Sequence, residues 1–283
     1  MPAGKVLTSV INKTSYTIPS IYLERDVIID IYLPKIYLSM VQDLILINDG
    51  QDLPRMDFMS ILEPLISKKE IKPIIFVGIH CGPERKMEYG MKDQPDFKGR
   101  GAKAGLYEQF LFEECIPFLH ANVDLSPQLQ MHYAGFSLGA LSAFDISWRH
   151  ADLFSTIGIF SGSLWWRKKG YDEGYNDETD RLAHAMIRSG RKKNNLKFFV
   201  QCGAADESED RNKNGIIDSI DDAIDLVKEL KQIGYTDQQI YYMEIADGKH
   251  DVHTWGRAFP YFLKWGWPNK KAPNQEPLSN ICK

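Results

Sequence analysis

The sequence predicts an α/β fold in which a central, mostly parallel sheet is flanked by helices on both faces. Three observations carry that expectation. Short β-branched runs alternate with amphipathic stretches along most of the chain, several of those runs are continuously apolar, and a Gly-x-Ser-x-Gly pentapeptide sits where one run gives way to the next helical stretch. Strand–helix alternation builds parallel sheets. Strands covered on both faces read as unbroken apolar runs, whereas half-exposed strands alternate.

Taken in order, residues 27–33 (VIIDIYL) mostly alternate and suit an edge or antiparallel strand. Residues 44–47 and 74–79 are continuous apolar runs, as central strands are. Residues 131–134 form a further strand that leads into Gly135, after which 138–148 reads as a helix. Strands follow at 156–160 and 196–201. Residues 217–233 carry Ile220, Ala223, Ile224, Val227 and Leu230 at helical spacing. The last strand is 240–245 and the last helix 255–265. In such sheets ligands bind at the carboxyl ends of the strands, so chemistry is sought there.

A chain of 283 residues can bury this core as one domain spanning 1–283, and no repeat or low-complexity linker divides it. A hydrophobic content of 43% with 25% charged residues argues against disorder. A net charge of -4 provides no basic footprint for nucleic acid. No apolar run is long enough to span a bilayer. The segment MPAGKVLTSV lacks the apolar core of a signal peptide, from which a cytoplasmic enzyme is expected. Cys81, Cys115, Cys202 and Cys282 are widely spread, form no C-x-x-C pair and read as isolated reduced thiols.

Gly135-Phe136-Ser137-Leu138-Gly139 makes Ser137 the candidate nucleophile. Two glycines let the backbone turn sharply from strand to helix and expose the hydroxyl, and the helix N-terminus offers backbone donors to an oxyanion. A serine needs a base, and the base an orienting carboxylate. In the α/β-hydrolase order, Ser then Asp or Glu then His, the base is His250, in the loop after the last strand, in preference to His253. His150 and His184 lie on helical stretches, and His120 and His132 have no motif, so these read as structural. The acid follows the strand at 196–201: Asp206 is favoured and Glu207 is the alternative, since either could orient an imidazole.

The chain resembles the putative esterase family of α/β-hydrolases, which includes enterochelin, feruloyl and acetyl xylan esterases, formylglutathione hydrolase and mycolyl transferases. The resemblance rests on Asn48-Asp49-Gly50-Gln51, on Val77-Gly78-Ile79 with Arg85 and Glu88-Tyr89, and on Glu114-Cys115-Ile116-Pro117-Phe118. Ser161-Gly162-Ser163-Leu164-Trp165-Trp166 and Gly248-Lys249-His250 with Trp255, Pro260 and Phe262-Leu263 complete it. It implies an α/β-hydrolase fold, catalytic Ser137, Asp206 and His250, and oxyanion donors from the backbone N–H groups of Gln51 and Leu138. His80 departs from the Asn or Asp that many relatives carry after V-G-I. Trp165 and Trp166 hold a position that lines the substrate cleft in the family, although such aromatics serve equally as core. Arg85 is read as a partner either for a substrate carboxylate or for Glu88, with the structural pair favoured.

One motif falls outside this scheme. Asp210, Asn212, Asn214, the Ile216 carbonyl, Asp218 and Asp221 occupy positions 1, 3, 5, 7, 9 and 12 of an EF-hand loop, with Gly215 at the sharp turn. Aspartate at position 12 resembles dockerin loops, and the entering helix is absent. A structural Ca²⁺ beside the acid loop is therefore expected. The basic run Arg191-Lys192-Lys193 reads as a solvated helix end.

Together these features predict a serine esterase acting on a small-molecule ester through an acyl-enzyme, with no cofactor needed for catalysis. Acyl transfer from the same intermediate is the nearest alternative. A calcium-dependent binding module on a retired hydrolase fold is a second.

Overall fold

The computed structural model describes residues 9–35 and 41–269. Cys282 and residues 1–8, on which two of the expectations above bear, lie outside them. Eight strands form one sheet: β1 (Ile11–Ser20), β2 (Arg25–Pro34), β3 (Asp43–Asn48), β4 (Ile75–Ile79), β5 (Gln130–Phe136), β6 (Phe154–Phe160), β7 (Lys197–Ala205) and β8 (Ile240–Lys249). Their spatial order is β1-β2-β4-β3-β5-β6-β7-β8. Strands β1 and β2 pair antiparallel, as do β2 and β4, and every other neighbour pair is parallel. This is the mostly parallel sheet that the sequence predicts.

The helices are α1 (Phe58–Ser67), α2 (Arg85–Glu88), α3 (Ala104–Gln109), α4 (Ile116–Asn122), α5 (Leu138–Arg149), α6 (Asp177–Asp180), α7 (Leu182–Ser189), α8 (Asp218–Gln232) and α9 (Val252–Gly266). A π-helical turn, Phe110–Cys115, joins α3 to α4. Alternate residues of the central strands feed two cores. Leu44, Leu46, Ile75 and Val77 join the cluster that includes Phe144 and Ala143 of α5, and Ile45, Ile47 and Phe76 join the cluster of α1 and α9. Both faces of the sheet are thus dry, and the continuous apolar runs follow from that.

The core also sets the position of the strand ends. Trp255 and Phe259 of α9 stack on Phe136 and Phe160 at 5.0 and 5.3 Å. The helix that follows His250 is thereby anchored to the strand that precedes Ser137. Asn48, fully buried at the end of β3, accepts from the Tyr107 and Tyr133 hydroxyls at 2.6 and 2.9 Å, and its amide donates to the Gly139 carbonyl at 2.8 Å.

Sheet order changes direction at β3, whose chain successor β4 lies on one side and whose next neighbour β5 on the other. Crevices at such switch points are where α/β sheets take ligands. The loop after β3 and the turn after β5 open side by side there.

Candidate active site

Ser137 occupies the turn between β5 and α5 with φ 54° and ψ −122°. A non-glycine residue in this region carries strain of about 1–3 kcal/mol, so the surroundings must hold it. They do so by close approach. A Cβ on Gly135 would lie 2.4 Å from the Gly139 carbonyl carbon, and one on Gly139 would lie 2.7 Å from Asp49 Oδ2. The Ser137 N–H donates to the Phe160 carbonyl at 2.9 Å, tying the turn to β6. The serine itself stays half-buried, and its Oγ lies 3.5 Å from Ser163 Oγ.

Asp206 directly follows β7, and His250 directly follows β8. Both oxygens of the Asp206 carboxylate are buried without a hydrogen-bond partner among the described residues. Burial raises its pKa, and the Gly203 backbone, the Ser161 hydroxyl and the His250 ring oppose that shift. His250 is exposed, and its ring packs edge-on against Trp255 at 5.4 Å. The protein around it nevertheless desolvates the ring and lowers its pKa; Asp206 resists this and the Arg85 charge adds to it. The pKa of Glu207 is raised mainly by burial, with Asp218, Glu209 and Asp222 adding to it. His250 is a prominent charge on Asp206 and Asp206 on His250.

Gln51 lies in the short 3₁₀ turn Gly50–Asp52 after β3, and Leu138 opens α5. Amide groups in the first turn of a helix have no intrahelical acceptor, so both point outward as donors. The Gln51 side chain is locked on Cys81: its Oε1 accepts from the Cys81 N–H at 3.1 Å. Gly50 crosses β4 so closely that a Cβ there would lie 2.4 Å from the Gly78 carbonyl carbon.

Three expectations change. Arg85 does not pair with Glu88, which is held instead by Arg25 at 2.8 and 2.7 Å. Arg85 grips Asp49 with Nε and Nη2, both at 2.7 Å, and Nη2 also reaches the Phe136 carbonyl at 3.4 Å. Sequence spacing favoured the i+3 neighbour; the fold brings Asp49 nearer. Trp166 is fully buried, with its indole N–H donating to the Gln94 carbonyl, so only Trp165 is left to line a cleft. Residue 218 is turned out of the expected metal loop, since its Oδ1 accepts from the Arg211 N–H at 2.8 Å with the Arg211 guanidinium at 3.4 Å.

The remaining loop residues do converge. Asp221 Oδ2 accepts from the side-chain amides of Asn212 and Asn214 at 2.8 and 2.7 Å, and the Asp210 carboxylate accepts from the N–H groups of Asn214 and Gly215. Among the described residues no group of three or more His, Cys, Asp or Glu side chains is arranged to hold a metal ion. The convergent set here is two Asp and two Asn.

Four other histidines are engaged in the scaffold. His132 Nε2 lies 2.9 Å from Asp43, His150 Nε2 3.3 Å from Glu108, and His80 Nε2 3.0 Å from Asp30. His184 is fully buried, bonded to the Asp222 carbonyl, and burial pushes its pKa down to about 3. Cys81, Cys115 and Cys202 are free thiols. Among the described residues no helix is long and apolar enough to cross a membrane.

A strained serine turn between a strand and a helix at the carboxyl ends of parallel strands is the layout of an α/β-hydrolase fold, and the family match below makes the chain a carboxylic ester hydrolase. The chain belongs to the family described as "Putative esterase", whose model matches residues 20–265. Similar solved structures include a ferulic acid esterase (17% identity, TM-score 0.67, covering 91% of this chain and 99% of that one). The enterobactin esterase of Shigella flexneri aligns with TM-score 0.68 at 18% identity, over 90% of this chain and 59% of that one. This chain therefore spans about three-fifths of that relative. An IroE-like serine hydrolase from Shewanella oneidensis aligns with TM-score 0.65 at 18% identity, over 90% and 79%. These likenesses show the fold. No curated protein matches the sequence closely enough to count as a relative.

His250 is expected to titrate below the ordinary histidine value of about 6.5. Followed by proton NMR against pH, its pKa should rise in Arg85→Met, which removes a positive neighbour, and fall further in Asp206→Asn. Movement of either variant in the opposite sense would contradict the electrostatic assignment.

Proposed function

We propose that the enzyme hydrolyses a carboxylic ester through an acyl-enzyme on Ser137. The observation that carries this reading is the strained, half-exposed Ser137 at the same sheet edge as His250 and the buried Asp206 carboxylate. Ser137 Oγ attacks the ester carbonyl as His250 takes its proton. Asp206 holds the imidazole and stabilises the imidazolium. The N–H groups of Gln51 and Leu138 hold the tetrahedral oxyanion. His250 then returns the proton to the leaving alcohol, and a water activated by the same imidazole releases the acyl group.

The lowered pKa of His250 suits this work, because the ring stays neutral, and able to accept a proton, below the pH at which an ordinary histidine is protonated. A depressed pKa places the acid limb of kcat/KM below about 6.5. Acyl transfer to a second alcohol would use the same intermediate, and added acceptor alcohol would then raise the rate of ester loss. The binding-module alternative is weakened by membership of an esterase family over most of the chain.

For the loop at 210–221, Asp210, Asn212, Asn214 and Asp221 are the residues that would hold a Ca²⁺ ion, with the Ile216 carbonyl as a fifth donor. Their support is the convergence on Asp221. Asp218 would have to leave Arg211 or act through water, as position 9 of EF-hand loops often does. A bound ion would brace the loop that follows Asp206; no catalytic step passes through it.

Ser137→Ala should reduce hydrolysis of p-nitrophenyl esters by roughly four orders of magnitude or more, about 5 kcal/mol of transition-state stabilisation. Unchanged turnover in that variant would end the assignment. Calcium should raise Tm over EDTA in the wild type and have no effect in Asp210→Ala. An identical Tm with calcium and with EDTA in the wild type would remove the metal from the account.

A further inference from the structure

Behind Trp165 lies a pocket of about 250 Å³ whose charged walls are Lys98, Arg100, Arg167, Glu207, Glu209 and Asp218, with Tyr171 and Phe97 beside them. Arg167 is only 9% exposed. Its guanidinium carbon lies 4.1 Å from the Tyr171 ring centroid, 4.5 Å from that of Phe97 and 5.4 Å from that of Tyr175. Nε donates to the Lys169 carbonyl at 3.1 Å. Among the described residues the two terminal nitrogens have no acceptor, and no carboxylate lies within ion-pair distance. Neighbouring arginines differ in this respect: Arg100 is paired with Asp96, Arg181 with Asp222 and Asp225, and Arg211 with Asp177 and Asp222. The terminal nitrogens open onto the pocket, where a guanidinium without an anion of its own can take one from a ligand.

We propose that Arg167 is a subsite for a single carboxylate carried by the ester substrate. The rings around it fix the guanidinium plane, which leaves the terminal nitrogens free to grip a carboxylate with two parallel bonds. The opposite wall refines the class. Asp218 is already engaged by Arg211, whereas Glu207 Oε1 is buried with no partner among the described residues. Lys98 and Arg100 balance Glu207 and Glu209 across the pocket, so the selective feature is the planar fork of Arg167, and a single carboxylate is the chemistry that fits it.

The distance is suitable. Ser163 Oγ is 3.5 Å from Ser137 Oγ, and the four residues from Ser163 to Arg167 span at most about 14 Å. On the other side, Glu207 adjoins Asp206. A substrate with an arm of that length would present its ester to Ser137 and its carboxylate to Arg167. This inference rests on Ser137 being the nucleophile, and the experiment separates the two.

Two series of esters provide the test. In one, p-nitrophenyl half-esters of dicarboxylic acids from succinate to suberate are compared with methyl-ended esters of equal length. In the other, butyrate esters of hydroxy acids are compared with butyrate esters of plain alcohols. In the wild type, kcat/KM should favour the carboxylate member in at least one series. Arg167→Met should reduce that preference at least about tenfold, mainly through KM, as expected for loss of a charged hydrogen-bonded pair, and Arg167→Lys should restore part of it. Circular dichroism checks that Arg167→Met folds. If it does not, Arg167→Lys, which keeps the charge and loses the planar fork, is read on the same ratio and should lower it. No preference in either series, or a preference untouched by the variants, would overturn the subsite. Failure of the wild type to hydrolyse any ester, or failure of a fluorophosphonate to label Ser137, would instead overturn the nucleophile reading.

Discussion

The backbone at Ser137 is the constraint on which the site depends. A side chain at φ 54° is held there only because Gly135 and Gly139 allow strand and helix to meet at backbone distance. The same turn leaves Ser137 half-buried at the start of α5, with Leu138 the first residue of that helix. It also needs β6 as a buttress, through the bond from Ser137 N–H to the Phe160 carbonyl. Phe160 in turn stacks on Phe259 of α9, so the turn is backed by the core on that face of the sheet. Strain of this kind persists only where the surrounding structure over-determines it.

Arg85 joins the loop after β3 to the end of β5. Its bidentate grip on Asp49 holds the residue that leads into Gly50-Gln51, and its reach to the Phe136 carbonyl touches the residue before the nucleophile. Asp49 is itself left-handed, at φ 61°, and its N–H donates to the Tyr89 hydroxyl at 3.3 Å. The same cation faces His250 and opposes the pull of Asp206 on the ring. One side chain thus acts on both geometry and proton affinity. Burial of Asp206 works in the other direction, since an unsolvated carboxylate interacts more strongly with an imidazolium than a hydrated one would.

Much of this was legible in the sequence because it depends on local rules. Central strands read as apolar runs, and the glycine–serine turn declared itself between a strand and a helix. The residues proposed as acid and base follow β7 and β8, strands whose apolar runs could be read from the sequence. Strand β1 was not legible, because seven of its ten residues are surface-facing or partly so, and its pairing with β2 leaves no apolar signature. Partner choice was illegible for a different reason. Arg85 lies 36 residues from Asp49 in the chain, and only the crossover between β3 and β4 brings them together. Trp165 and Trp166 are adjacent and chemically identical, yet one lines a pocket and the other fills the core. Arg167 carries no signal at all in sequence, since its interest lies in a missing partner.

The most direct test of the central claim is peptide mass mapping of the enzyme quenched during turnover of a slow ester. The account predicts one acyl adduct, on the peptide that contains Ser137 and on that residue. An adduct on Ser163, whose hydroxyl lies 3.5 Å away, or turnover with no covalent adduct under any quench, would contradict it.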